Sequence, residues 1–223
     1  MSQATIVTAF DWVPSFAQGH VRDLRVRWAL EEAGFPYEED LLAMGTQTSP
    51  GHIARQPFGQ VPVIEIDGHT MFESGAIVLK IAEASDVLMP RDPCQRDRVV
   101  TWIFASLNTV EPPLGALADV DIFVEDVEVK ARYRPKLLEA VTRRLDQLQA
   151  ALGESDYLIG PFSAADIMMA PVLRMTDHTD ILDGYPGLSG YLARCTARPA
   201  FERALAAQLR PFAIHASHYE HAF

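Results

Sequence analysis

The sequence predicts an α/β portion followed by an all-helical portion, and three observations predict it. A strand–helix–strand pattern fills about the first 40 residues. Two short apolar runs then flank Asp67-Gly68 as a hairpin would. Beyond Pro90 and Pro93 the apolar residues recur only at helical spacing.

Each element follows from its residues. Residues 5–10 are β-branched and aromatic, the right length for a buried strand. From residue 21 to 33, Val21, Leu24 and Trp28, then Val26, Leu30 and Ala33, recur at helical spacing. Gly34 suits the left-handed residue past a helix end, and Pro36 blocks continuation. Residues 37–42 complete a βαβ unit, which implies parallel pairing, although three acidic residues sit poorly in a strand. After a polar loop at 46–51, residues 61–66 and 70–72 form the hairpin. A helix over 74–84 follows, with Ser74 as a good N-cap. Residues 85–93 hold two prolines and little periodicity, so an interdomain linker is placed at 85–91. Helices are then expected at 95–110 (stopped by Pro112-Pro113), 127–152 (kinked or begun at Pro135), 164–174, 188–197 and 200–209.

Composition narrows the function. The 223 residues carry 19 Lys plus Arg against 30 Asp plus Glu, a net charge of −11, with no basic run to meet a phosphate backbone. No stretch approaches the roughly 18 apolar residues of a membrane span. The opening MSQATIVTAF lacks the charged start and long apolar core of a signal peptide. Two distant cysteines, Cys94 and Cys195, exclude a disulfide framework, a four-cysteine zinc site and a CxxC pair. No nucleic-acid partner and no membrane are expected, and a reducing cytoplasm is the expected home.

Two segments carry chemistry. In QPFGQVPVIEIDGHTMFESGAI (56–77), Pro62 lacks an amide, so Val61 sits where a sheet edge can pair with an extended peptide. Glu73-Ser74 lies where a strand gives way to a helix. The helix start suits a carboxylate and Glu73 an ammonium, which together describe an α-amino acid site. A capped helix after a hairpin is the plain alternative. In YLIGPFSAADIMMA (157–170), Ser163 and Asp166 have capping-box spacing, and a buried Asp166 must find backbone amides.

On these motifs the whole chain resembles the cytosolic glutathione transferase family. RVRWALEEAGFPYE (25–38) resembles the family's first helix and second strand, QPFGQVPV (56–63) and FESGAI (72–77) its glutathione-binding signature, and YLIGPFSAADI (157–167) its helical capping box. The resemblance implies a thioredoxin-like glutathione-binding domain at 1–84 and an all-α C-terminal helical domain at 92–223. It implies glutathione as co-substrate, a small hydrophobic electrophile as second substrate, and a homodimer with a detoxification role. By position, Val61 beside a cis Pro62 pairs with the cysteinyl part of glutathione. Glu73 and Ser74 hold its γ-glutamyl amine and carboxylate. Gln60 stands where the family often has Lys, which leaves a contact to the glycyl carboxylate to Arg22, Arg25 or Arg55.

Glutathione transfer needs a thiolate, and a thiol with a pKa of about 8.5 is mostly protonated at neutral pH. The family's activating group follows the first strand. Here residues 10–23 contain no Tyr and no Cys. Ser15 is the candidate hydroxyl. His20, the amides of residues 19–21 and the Trp12 indole are alternatives. Phe104, Asn108, Val110, Pro113 and Leu114 are candidates for an electrophile wall. His215, His218 and His221 share a spacing of three, but no accompanying cluster points to metal, and a tail folded over the pocket mouth is expected instead. Isomerisation or peroxide reduction with glutathione stays open, as does a catalytically weak binding or regulatory protein.

Overall fold

A computed structural model of the chain describes residues 4–219. The described residues divide into two compact units, 4–88 with 198–219, and 89–197. In the first unit β1 (Ile6–Phe10), α1 (Asp23–Ala33), β2 (Glu38–Leu42), the one-turn α2 (Pro50–Ile53), β3 (Val63–Ile66), β4 (His69–Phe72) and α3 (Ser74–Glu83) follow in order. The second holds α4 (Pro93–Ala105), α5 (Glu111–Phe123), α6 (Val127–Leu152), α7 (Ala164–Arg174) and α8 (Pro186–Thr196). The last helix, α9 (Pro199–His215), packs on α1.

Among the described residues the strands form one sheet in the order β2-β1-β3-β4. β1 and β2 are parallel, with Ile6 opposite Glu38 and Phe10 opposite Leu42. β3 runs antiparallel to both β1 and β4. The first unit holds a thioredoxin-like sheet and the second is all helical, the fold class expected. Asp67 (φ 52°) and Gly68 (φ 77°) both turn left-handed, as the twist of a two-residue hairpin requires. Gly34 ends α1 at φ 69°, and its amide reaches the Glu31 carbonyl. Val7, Ala9, Val63 and Ile64 from the sheet pack with Leu24, Val26, Trp28, Ile77, Val78 and Ile81 as the buried core of this unit.

The acidic edge strand β2 is stable because cations meet it from three directions. Arg27, wholly buried on α1, pairs with Asp23 at 2.7 Å and with Glu39. Arg210 of α9 reaches the other Glu39 oxygen at 2.6 Å, and Arg55 reaches Asp40 at 2.9 Å. Gln208 of α9 donates to Asp23 Oδ1 at 2.7 Å and to the Val21 carbonyl at 3.1 Å. Arg198 and Arg203 clasp Glu32 and Glu31 at 2.5 and 2.6 Å. Burial raises the Asp23 carboxyl above the ordinary aspartate range, against the pull of Arg27 and Gln208. Burial also works against the Arg27 charge, but Asp23 and Glu39 outweigh it and hold the guanidinium cationic.

The helical unit departs from expectation at one place. Helix α4 does not stop before Pro112-Pro113. It passes through a π turn, Ser106–Val110, and continues as α5 with both prolines in its first turn. A first-turn proline forfeits only an amide that has no partner there. The wide turn is what lets a new first turn begin inside a continuous rod. Helix α6 runs unbroken through Pro135, which lies exposed, so water can serve the carbonyl it orphans. The loop expected at 46–51 partly folds into α2. Asp166 closes the expected capping box at α7: its carboxylate accepts the Ser163 amide (2.9 Å), the Leu158 amide (3.1 Å) and the Tyr191 hydroxyl (3.0 Å). Burial raises the Asp166 carboxyl, and those amides oppose the rise. Among the described residues no helix is long and apolar enough to cross a membrane.

Arg27→Leu leaves Asp23 buried without its cation, and should cost about 3–5 kcal/mol at pH 7. Without the guanidinium the folded-state pKa of Asp23 rises further above its unfolded value of about 3.9. A raised carboxyl contributes stability below the unfolded pKa and loses it as pH rises. The gap between variant and wild type should therefore narrow toward pH 4, measured by urea unfolding across pH.

Candidate functional site

One narrow cleft gathers Arg22, Gln56, Gln60, Val61, Pro62, Glu73 and Ser74. The five binding residues expected from the sequence, Gln60, Val61, Pro62, Glu73 and Ser74, all lie there. Two wider grooves flank Phe35, Pro36, Tyr37 and Glu38 and contain none of them.

Three short segments build the cleft. The first is the loop from α2 to β3. Gln56 is buried, and its side-chain oxygen accepts the Phe58 amide at 2.6 Å. The Gly59 amide returns to the Gln56 carbonyl at 3.1 Å. Gly59 has φ +64°, and a Cβ there would lie 3.2 Å from the Gln47 carbonyl oxygen, so the turn requires glycine. The buried His52 sets its Nε2 2.8 Å from the Gln60 carbonyl. The Val61–Pro62 bond is cis.

The second segment is the passage from β4 into α3. Glu73 has φ 71° and ψ 110°, a strained conformation for a residue with a side chain. It is Glu73, not Ser74, that stands at the N-cap position. Ser74 is the first helical residue, and Glu73 before it makes no side-chain cap bond, which corrects the expectation of a Ser74 cap. The reason is geometric: the positive φ turns the chain one residue early. The buried Ser74 hydroxyl thus lies in the cleft with the first amides of α3, which lack intrahelical acceptors.

The third segment leads into α1. Arg22 lines the cleft, whereas Arg55 is engaged with Asp40, Glu65 and Thr8, and neither it nor Arg25 lines the cleft. Ser15 opens a short 3-10 turn and is exposed, and His20 is exposed too. Neither is among the cleft-lining residues. The geometry therefore offers one carboxylate, one hydroxyl, a helix start and one guanidinium around the bond before Pro62. This set fits an ammonium and a carboxylate side by side.

Sequence reasoning missed Asp11 and His52. Asp11, just past β1, is nearly buried and accepts the Tyr219 hydroxyl (2.9 and 3.1 Å) and the Met44 amide (3.2 Å). Tyr219 stacks on Trp12 with ring centroids 4.8 Å apart. Burial, then the Asp11 bond, raises the Tyr219 phenol. The tail thus folds back over the end of β1. His215 and His218 meet edge to face with ring centroids 5.4 Å apart, and His221 lies outside the described residues.

Comparison with known proteins agrees with this geometry. The family model "Glutathione S-transferase, N-terminal domain" matches residues 10–83, and the C-terminal domain of the same family matches residues 107–199. Glutathione S-transferase 1 of Zea mays is 30% identical over 85% of this chain and 92% of its own length. Maleylacetoacetate isomerase of Rhizobium meliloti (strain 1021) is 33% identical over 84% of this chain and 92% of its own. A glutathione transferase from Burkholderia graminis, crystallised with two glutathione molecules per subunit, superposes with TM-score 0.80 at 25% identity, covering 93% of this chain and 89% of that one.

Glu73→Gly should leave stability against urea unchanged or raised by up to about 1 kcal/mol, because glycine adopts positive φ without strain. The same variant should lose affinity for any ligand held by its amino group. Paired urea and calorimetric titrations read the two effects apart.

Proposed function

Because the chain belongs to the glutathione S-transferase family, we propose that it binds glutathione in this cleft and transfers the thiol sulfur to a small hydrophobic electrophile. One observation carries the reading. Glu73 and the start of α3 share a cleft with the backbone of Val61. Glu73 takes the γ-glutamyl ammonium, Ser74 and the first α3 amides take the α-carboxylate, and Val61 pairs with the cysteinyl backbone. Arg22 supplies positive charge where Gln60 has none, which a doubly carboxylated tripeptide needs on a chain of net charge −11.

In the proposed reaction the bound thiol gives its proton to solvent, and the thiolate forms a carbon–sulfur bond to the electrophile as a leaving group such as chloride departs with its bonding electrons, or as a carbon–carbon π bond opens and the far carbon takes a proton from solvent. The anion is stabilised from the segment before α1, by the Ser15 hydroxyl or the His20 imidazole. Isomerisation through a transient glutathione adduct, or peroxide reduction, uses the same thiolate. The likeness to maleylacetoacetate isomerase supports keeping the first of these. A second reading is a binding protein with weak turnover, favoured by the absence of Ser15 and His20 from the cleft lining. Glutathione calorimetry followed by an assay with 1-chloro-2,4-dinitrobenzene and a panel of other electrophiles separates them. Binding with turnover supports the enzyme, and binding without turnover on any electrophile supports the second reading.

We further propose a cytoplasmic homodimer. Neither cysteine is in a disulfide, which suits a reducing compartment. Phe58 is 68% exposed and meets Phe72 edge to face at 6.2 Å, an apolar patch suited to a second copy. Phe58→Asp should shift the light-scattering mass at micromolar concentration from a dimer toward one 24.7 kDa chain. A single-chain mass for the wild type would reject the dimer.

Ser74→Ala removes one charge-assisted hydrogen bond to the γ-glutamyl carboxylate, worth about 1.5–3 kcal/mol. Glutathione affinity should fall roughly 10- to 150-fold. Since Ser74 is not the cap, no capping loss should accompany it. An unchanged dissociation constant would displace the carboxylate from this position.

A further inference from the structure

We propose that His52 is a positioning residue of the glutathione site, one that aims the Val61 amide at the bound peptide. The proposal rests on the glutathione reading given above. The Gln60–Val61 peptide is not among the cis bonds. A trans peptide is planar, with its C=O and N–H pointing to opposite sides. The Gln60 carbonyl is drawn to His52, whose ring is 2% exposed and whose Nε2 lies 2.8 Å away. The peptide plane must then direct the Val61 N–H away from the buried histidine. Val61 and Gln60 both line the cleft, and among the described residues no acceptor meets the Val61 amide. One anchored carbonyl therefore presents an open donor to a ligand carbonyl.

The ring's other nitrogen supports a role for this bond. His52 Nδ1 is buried and has no partner among the described residues. A carbonyl can only accept, so Nε2 carries a proton and donates it to the Gln60 oxygen. Leaving a buried polar atom unpaired costs stability. An apolar residue would fill the same space without that cost, so the packing of the α2 turn alone does not call for histidine. The Nε2 donor is what an apolar residue would lack.

His52→Leu keeps the volume and removes the donor. His52→Gln returns an N–H near the Nε2 position, and His52→Asn is polar but too short to reach. Calorimetry should find the glutathione dissociation constant raised about 10-fold or more in the Leu and Asn variants. The Gln variant should stay within about threefold of wild type. With 1-chloro-2,4-dinitrobenzene, the KM for glutathione should rise while kcat at saturating glutathione stays within about twofold, a split that general destabilisation does not produce. Should His52→Leu fail to fold, the Asn and Gln pair carries the same comparison. Leu or Asn variants that bind glutathione within twofold of wild type, or a Gln variant no tighter than Asn, would overturn the inference while leaving the glutathione reading intact. A wild-type protein that does not bind glutathione overturns both.

Discussion

A guanidinium with no access to water holds the sheet unit together. Arg27 lies on the face of α1 turned toward β2, where it neutralises Asp23 on its own helix and Glu39 on the edge strand. Its partner Asp23 in turn accepts Gln208 from α9, so one buried cluster joins the first helix, the edge strand and the last helix. Such a cluster is costly to dehydrate and still more costly to break. That asymmetry makes the register of α1 against α9 all-or-none, and α1 carries at its start the Arg22 that lines the cleft.

From that frame the cleft gains rigidity by small, local means. The loop before β3 is held by side chains bonding to its own backbone: Gln56 to the Phe58 amide and His52 to the Gln60 carbonyl. The turn into α3 is held in a strained conformation at Glu73. Strain of this kind persists only where the surroundings impose it, and it brings the carboxylate, the Ser74 hydroxyl and the helix start together. The helical unit uses a comparable device for stability. Asp166, buried, collects two amides and a tyrosine hydroxyl that would otherwise lack acceptors.

Legibility in the sequence tracked the range of the deciding interaction. Helix α7 was readable to the residue, because periodicity, capping by Ser163 and the end of the apolar stripe are local signals, whereas for α6 Pro135 left a kink or a later start open. The hairpin at Asp67-Gly68 was local too. Strand β2 looked doubtful because its acidic residues are neutralised by arginines from elsewhere in the chain, Arg27, Arg55 and Arg210. The prolines at 112 and 113 read as a stop, since a π turn leaves no mark in apolar spacing. The place of Ser74 was off by one position because a positive φ at a glutamate cannot be read from residue type. Asp11 was invisible for a plainer reason: its partners Met44 and Tyr219 lie 33 and 208 residues away. The cleft residues themselves were legible as motifs. What those motifs did not contain was the anchor, His52, which looks in sequence like one more residue of a polar loop.

The central claim is that glutathione lies between the Val61 backbone and the start of α3. Titrating reduced glutathione into nitrogen-15-labelled protein and following the backbone amide resonances tests it most directly. The account predicts that Val61, Ser74 and Gly75 shift first and furthest, in proportion to occupancy. Saturable binding that leaves these three amides unmoved while shifting others would contradict it.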